Sequence, residues 1–395
     1  MFINNLFCSQ NNEFVHLNRM EHLLEILKIV EGAITADRTK VIAYTTQLAE
    51  KLTASGEEES AKRLRRLLGN SKTHSAAVTP ALLNLESRLP VDSESRLGLA
   101  EERRVVSGEI KIVLPDNVHA TISEFLRYVH AADRLLARGM DIHPSLLIYG
   151  PPGCGKTELA RYIAGELRLP LLTTRADTII SSYLGSTSKN IRTLFEHAMA
   201  RPCVLFLDEF DFIAKLRDDQ HELGELKRVV VSLLQNIDAL DQKTILLAAT
   251  NHEHLLDSAV WRRFAYKVHL EKPDAKSRAQ LFALFLEGFL KEEDYTLLAS
   301  ITDGISGGEI RQLADDTKRA AILDGKNTIG LEVLLRRILD VQLREKLNGS
   351  GDDLAAQLKA ARSLNPKGLT VRRLAAVFEC STGQVSKLLR SKTAD

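Results

Sequence analysis

Along the first seventy residues the chain passes from no discernible period to a regular helical one. Residues 1–19 show no repeated spacing of apolar positions, and a disordered extension is expected there, with Met20 as an alternative start. From Met20 to Leu68 the apolar residues Leu23, Leu24, Leu27, Ile34, Val41 and Leu48 recur at helical spacings, with charges on the other faces. This predicts a small helical hairpin or bundle over 20–70, punctuated at Ser55-Gly56. Residues 71–104 become rich in Ser, Pro and charge and read as a linker.

From Val105 to Pro273 short apolar runs alternate with helical patterns, which is how a parallel sheet covered on both faces is written. Leu146–Tyr149, Cys203–Leu207 and Ile245–Ala249 are the expected buried strands. The fold class predicted over 105–272 is α/β. Residues 273–347 read as a small helical lid and 348–362 as a linker around Asn348-Gly349-Ser350-Gly351. A further compact helical module is expected over 363–395.

Composition changes this picture in four respects. With 395 residues, 44% of them apolar and 27% charged, the chain can bury two or three cores. A formal net charge of +1 means that any charged interface must be local. Cys8, Cys154, Cys203 and Cys380 lie far apart without paired spacing, which argues against a zinc cluster or disulfide framework and fits a reducing cytoplasm. No apolar run reaches the roughly 18 residues of a membrane helix, and no secretory signal pattern opens the chain. A cytoplasmic protein without a membrane partner is expected.

The candidate chemistry starts where the first buried strand ends. Gly150-Pro151-Pro152-Gly153-Cys154-Gly155-Lys156-Thr157 fits the P-loop pattern, with a strand before it and a helical pattern from Glu158 after it. Such a loop turns successive backbone N–H groups inward as an anion nest, and the following helix adds its positive end. Lys156 is expected to neutralise the β- and γ-phosphates of ATP, with the Thr157 hydroxyl on Mg²⁺. The second strand ends in Asp208-Glu209, which puts two acids at the carboxyl edge of the sheet beside the phosphates. Asp208 is expected on Mg²⁺, and Glu209 as the base for the attacking water. The third strand ends in Thr250-Asn251, whose amide could align that water, though an Asn after a strand is also an ordinary turn former. His252 and His254 lack a third ligand for a metal site.

Together these parts resemble the AAA family within the AAA+ superfamily, over about Leu114 to Leu323. Ser181 to Phe195 is similar to the family's substrate-gripping loop and the helix after it, which makes Tyr183, Leu184 and Gly185 candidate pore residues. Leu256-Asp257 to Phe264 is similar to its arginine-finger segment, with Arg262 and Arg263 as candidate fingers and a solvated basic pair as the alternative. Gly304 to Ile310 resembles the lid motif that contacts nucleotide, which adds Gly307 to the nucleotide residues, beside Glu158 of the first helix. Two departures stand out: Cys154 replaces the usual Thr, and Lys267 lies near where a further arginine often follows. The resemblance implies a homo-oligomer, a hexameric ring with composite sites, whose arginines come from the neighbouring subunit. It also implies a protein client gripped by Tyr183.

The last segment, Leu369 to Arg390, looks like a helix-turn-helix. Ala375 lets two helices cross closely, Phe378, Val385 and Leu388 form their core, and Ser381 caps the second helix. Thr382, Gln384, Ser386 and Lys387 would then face outward towards a DNA groove. From Lys359 to Asp395 eight basic residues stand against Glu379 and Asp395. Glu379 occupies a turn position where glycine is usual, and such folds also dock proteins. Two readings remain open: a ring motor that remodels, unfolds or threads a protein, and a DNA-associated ATPase or regulator anchored through 363–395.

Overall fold

A computed structural model describes residues 22–34, 38–70, 89–92, 98–175, 184–211, 225–241, 244–256, 258–326, 328–346 and 353–391. The extension expected over 1–19 and the candidate pore residue Tyr183 lie outside these residues. The chain divides into two units. One comprises Met1–Ile110, Asn117–Gly150 and Lys156–His269; the other comprises Lys111–Asp116, Pro151–Gly155 and Leu270–Asp395.

The first unit is organised by a 6-stranded sheet in the order β1-β3-β4-β5-β2-β6. Its strands are β1 (Glu101–Arg103), β2 (Ser145–Tyr149), β3 (Leu171–Arg175), β4 (Val204–Asp208), β5 (Ile245–Thr250) and β6 (Tyr266–His269). All neighbours pair in parallel except β1, which runs antiparallel to β3 at one edge. The central strands are apolar along their length because both faces are covered: every residue of β5 is buried, as are the first four of β2 and of β4. Phe195, Leu205, Leu207, Leu246, Ala248 and Phe264 belong to one core, and Phe210 meets Phe264 edge-on at 6.0 Å.

β1 falls inside the stretch read as a linker, and its sequence, Glu-Glu-Arg, carries no strand signal. Contacts elsewhere in the chain hold it. Glu102 pairs with Arg201 at 2.6 Å, and the Thr174 hydroxyl donates to the Leu99 carbonyl at 2.7 Å. Charged side chains on a short edge strand also discourage edge-to-edge pairing with another chain.

Helices α1 (Leu23–Ile34), α2 (Arg38–Ala54) and α3 (Glu58–Asn70) precede the sheet. Their burial departs from the apolar pattern. On α1 the buried positions are Glu25, Lys28 and Gly32, whereas Leu27, Val30 and Ile34 are exposed. Each buried charge has an opposite partner: Lys51 reaches Glu25 at 2.7 Å and Lys28 pairs with Asp241, while the Leu24 N–H donates to Asp133. Within the sheet unit follow α4 (Asp116–His130), α5 (Ala132–Leu136), α6 (Lys156–Leu167), α7 (Leu184–Met199), α8 (Glu225–Asp238) and α9 (Ser258–Trp261).

The second unit is helical: α10 (Ala275–Phe285), α11 (Glu292–Ile301), α12 (Gly307–Leu323), α13 (Leu331–Lys346), α14 (Leu354–Leu364), α15 (Val371–Val377) and α16 (Thr382–Arg390). Much of the stretch read as a linker over 348–362 is helix α14, which opens on Asp353 as N-cap and buries Leu358 and Ala361. The glycines at 349 and 351 suggested a spacer, but two apolar side chains three residues apart find a core to enter. That core is shared: Leu334, Leu335, Ile338 and Leu339 of α13 belong to one cluster with Leu369, Leu374, Phe378 and Val385. Among the described residues no helix is long and apolar enough to cross a membrane.

Candidate active site

β2 delivers the chain into the turn Gly150–Gly155, and α6 begins at Lys156. Gly153 has φ +76°, a left-handed value, and a Cβ built there would lie 2.6 Å from the Ser306 hydroxyl oxygen. No other residue type meets both conditions. Within the same unit the Gly308 N–H donates to the Gly153 carbonyl at 2.8 Å. Ser306 caps α12 in a reciprocal box with Glu309, so Gly307 and Gly308 form the first turn lying against the loop. The Glu309 carboxyl is held below the usual carboxylate range chiefly by the Ser306 backbone N–H that it accepts.

Lys156 is buried, and its amine donates to the Gly150 carbonyl at 2.8 Å. One residue on, the Thr157 hydroxyl donates to Oδ2 of Asp208 at 2.9 Å, which brings the loop and the end of β4 together. The other carboxylate oxygen of Asp208 accepts the Glu209 N–H at 3.0 Å. Glu209 is exposed and has φ +54°, an uncommon conformation for a residue with a side chain. Glu158 of α6 pairs with Arg161 at 2.8 Å, and the Cys154 thiol lies 3.9 Å from the Pro152 carbonyl.

Registers fix the rest of this edge. Tyr149 stands opposite Thr250 and Arg175 opposite Asp208, so the carboxyl ends of β2, β3, β4 and β5 finish together. Thr250 and Asn251 are held there by Asp211, whose Oδ1 accepts the Thr250 hydroxyl at 2.8 Å and the Asn251 N–H at 3.2 Å. Sequence reasoning missed Asp211. Its signal is faint, an acid three positions after Asp208 in Asp-Glu-Phe-Asp, and only the fold brings it to the tip of β5.

Arg262 and Arg263 lie elsewhere on the same unit. They line a cleft of about 360 Å³ with His143, Pro144, Ser145 and Thr244, at the amino-terminal ends of β2 and β5. The Ser145 hydroxyl donates to the Arg263 carbonyl at 3.2 Å and accepts the Ala265 N–H at 3.0 Å, which pins the segment. The two arginines differ. Arg263 grips Asp238 through two bonds, of 2.6 and 2.7 Å, and this bonding raises its already high pKa. Arg262 is exposed and makes no side-chain hydrogen bond or ion pair among the described residues.

Residues 146–272 match the family described as "ATPase family associated with various cellular activities (AAA)". An uncharacterised AAA family ATPase, y4kL of Sinorhizobium fredii, is 34% identical over 292 residues, covering 73% of this chain and 86% of that protein. The chain belongs to the AAA ATPase family. A putative cell division cycle ATPase of Plasmodium falciparum is 31% identical over 240 residues, 59% of this chain but 19% of that protein. The ATP-dependent zinc metalloprotease FtsH of Thermus thermophilus is 30% identical over 257 residues, 61% of this chain and 41% of that protein. The AAA ATPase thus spans most of the first relative and under half of the other two.

This AAA ATPase binds and hydrolyses ATP, and the residues gathered at the carboxyl edge suit that reaction. A backbone nest, a buried ammonium, a hydroxyl beside a carboxylate, and a second acid are what a triphosphate and its hydrolysis call for. Of the candidate pore residues, Leu184 and Gly185 open α7, and Tyr183 lies outside the described residues. Among the described residues no group of three His, Cys, Asp or Glu side chains that could hold a metal occurs; the rings of His252 and His254 lie 5.8 Å apart.

Proposed function

We propose that this AAA ATPase assembles head to tail into a hexameric ring that remodels protein substrates by drawing chain through a central pore. One observation carries the ring: Arg262 is exposed at the amino edge of the sheet, whereas Lys156, Thr157, Asp208, Glu209 and Asn251 gather at the carboxyl edge. Strands of five or six residues separate these edges by roughly 15 Å. A guanidinium so placed cannot serve the phosphates of its own subunit, and a head-to-tail neighbour can bring it to another's. Repeated around a closed ring, that contact completes every site.

In this reading the N–H groups of Gly150–Gly155, together with Glu158 and Gly307, hold the nucleotide, and Lys156 neutralises its β- and γ-phosphates. The Thr157 hydroxyl and the Asp208 carboxylate are hard oxygen donors 2.9 Å apart, a pairing that suits Mg²⁺. When bound, that ion neutralises charge on the phosphate oxygens. Glu209 orients a water and takes its proton as the water oxygen bonds to the terminal phosphorus and the bond to the bridging oxygen breaks. Asn251 keeps the water in line. Arg262 from the neighbour stabilises the charge spread over the departing phosphoryl group. Tyr183, with Leu184 and Gly185, offers a flat amphipathic ring to the client chain.

The ring is tested by mixing two inactive variants, Lys156→Ala and Arg262→Ala. Mixed rings contain interfaces with an intact loop facing an intact arginine, so turnover should return on mixing. If no turnover returns, the composite site is wrong. Tyr183→Ala should spare ATP turnover yet abolish client remodelling, and retained remodelling would reject the pore.

A second reading, a DNA-associated ATPase, is favoured by the geometry of α15 and α16. Glu379, at the turn between them, has φ +53°, and the Cys380 N–H closes on the Ala375 carbonyl at 3.0 Å. Ser381 caps α16, and Val385 is buried against α15. The two roles are compatible, with the C-terminal helices anchoring the ring on DNA.

A further inference from the structure

We infer that α14–α16 bind double-stranded DNA and that this binding is energetically linked to the nucleotide on the phosphate loop, an inference that rests on the second reading above. Between Leu354 and Ser391 seven basic residues stand against one acid, Glu379. The structure sorts the seven. Arg362 donates to the Leu369 carbonyl at 3.1 Å, Arg373 to the Gly368 carbonyl at 3.0 Å, and Lys359 to the Ser391 carbonyl. Those three brace the module. Lys367, Arg372, Lys387 and Arg390 are exposed and form no ion pair among the described residues.

The outward face of α16 indicates what those four cations meet. Its exposed positions are Thr382, Gly383, Gln384, Lys387 and Arg390, with Ser386 half-buried. Large exposed apolar side chains are missing from this face among the described residues; in the whole module only Leu354 qualifies. A protein-docking helix needs an apolar or aromatic anchor at its centre, and this one offers small polar groups ringed by charge. Those are the groups that fit a groove between phosphate strands. Gln384 is partly committed, since its side-chain oxygen accepts the Ser381 N–H at 3.0 Å in the capping box. Thr382 and Lys387 are therefore the main candidates for base edges, with Lys367, Arg372 and Arg390 on phosphates.

The linkage follows from how the module is mounted. It is fused to the lid: Arg336 of α13 lies over the Phe378 ring at 4.7 Å, and Asn365 donates to the Ser300 hydroxyl at 2.6 Å. Gly368 packs so closely that a Cβ there would fall 2.3 Å from Leu297 of α11. Residues Pro151–Gly155 belong to this same unit, joined through the Gly308–Gly153 hydrogen bond. A nucleotide that reshapes the loop therefore acts on the body that carries the DNA face. Two ligands on one body that favour different arrangements change each other's affinity by the same factor.

The test uses the full chain with Glu209→Gln to block turnover, and a fluorescein-labelled duplex of mixed sequence read by anisotropy. Duplex affinity should fall linearly with salt on a log–log scale, with the slope of about three phosphate contacts. Arg372→Glu with Lys387→Glu should lower it at least about tenfold in every nucleotide state, with an unchanged melting curve. Affinity with ATP and with ADP should differ at least about fivefold, and Asn365→Ala with Arg336→Ala should shrink that ratio. Equal duplex affinity in ATP and ADP would overturn the linkage and leave DNA binding standing. No duplex binding in either state, or binding indifferent to the charge reversals, overturns both. Client-protein binding lost in the charge-reversal variant, without any duplex binding, would assign the face to protein instead.

Discussion

Asp211 accepts the Thr250 hydroxyl and the Asn251 N–H on one oxygen and so sets where β5 presents its last amide. Removing it should misalign Asn251 without touching the nucleotide nest. Asp211→Ala is therefore expected to lower kcat on the order of tenfold or more while KM for ATP hardly moves; a change confined to KM would reject the positioning role. His197 supplies a test of another kind. It is half-buried beside Arg201, and burial first, then that neighbouring charge, pushes its pKa down to about 4, against the pull of Glu102. The unfolded chain takes up a proton near the ordinary histidine value, and the folded chain does so only near 4. Stability is thus whole above about pH 6.5 and is lost as pH falls towards 4. His197→Gln should flatten that acid limb in melting curves recorded across the window, and an identical limb in both proteins would rule His197 out.

Among the elements, α12 opens on a complete capping box. Ser306 and Glu309 satisfy each other's backbone N–H groups, and the helix's first turn is the one bonded to Gly153. Ser306→Ala should cost about 1 kcal/mol by chemical denaturation and weaken ATP binding with it, because the same turn serves both purposes. Stability lost without any change in nucleotide affinity would separate the cap from the site. The arginine segment after β5 shows a comparable division of labour. Asp238 at the end of α8 and Ser145 at the start of β2 anchor Arg263, which leaves Arg262 beside it directed at solvent. An exposed cation held on a braced backbone is well prepared for a partner, since little ordering remains to be done on contact.

For the molecule as a whole, a buried ion pair ties the first described helix to the sheet unit. Lys28 is 2% exposed and pairs with Asp241 just before β5, so the connection spans from the first described helix to the heart of the sheet unit. Asp241→Ala removes the closer of two carboxylates, since Lys28 keeps Glu31 at 3.3 Å, and should destabilise the protein by about 1–3 kcal/mol. Replacing both partners with apolar residues should recover most of that loss. A negligible loss on Asp241→Ala would mean that the pair is solvated and the helices are held another way.

The central strands β2, β4 and β5 and the glycine-rich loop between strand and helix were readable in the chain, because both are written locally. A parallel strand buried on two faces must be apolar throughout, and a phosphate nest must be glycine-rich between a strand and a helix, so Leu146–Tyr149 and Gly150–Thr157 announce themselves. The cap at Ser381 was legible for the same reason. What depends on residues far apart in the chain was decided only by tertiary structure. Asp211 after β4 reaches Asn251 after the neighbouring β5, Arg263 finds Asp238 twenty-five positions earlier, and β1 is held by its pairing with β3 and by Arg201. Helix α14 was hidden behind glycines, and the burial of Glu25 and Lys28 reversed the face that the apolar pattern favoured. Periodicity records how each element meets water on average; which charge meets which is settled when the elements pack, since a buried ion is tolerable only where its partner arrives.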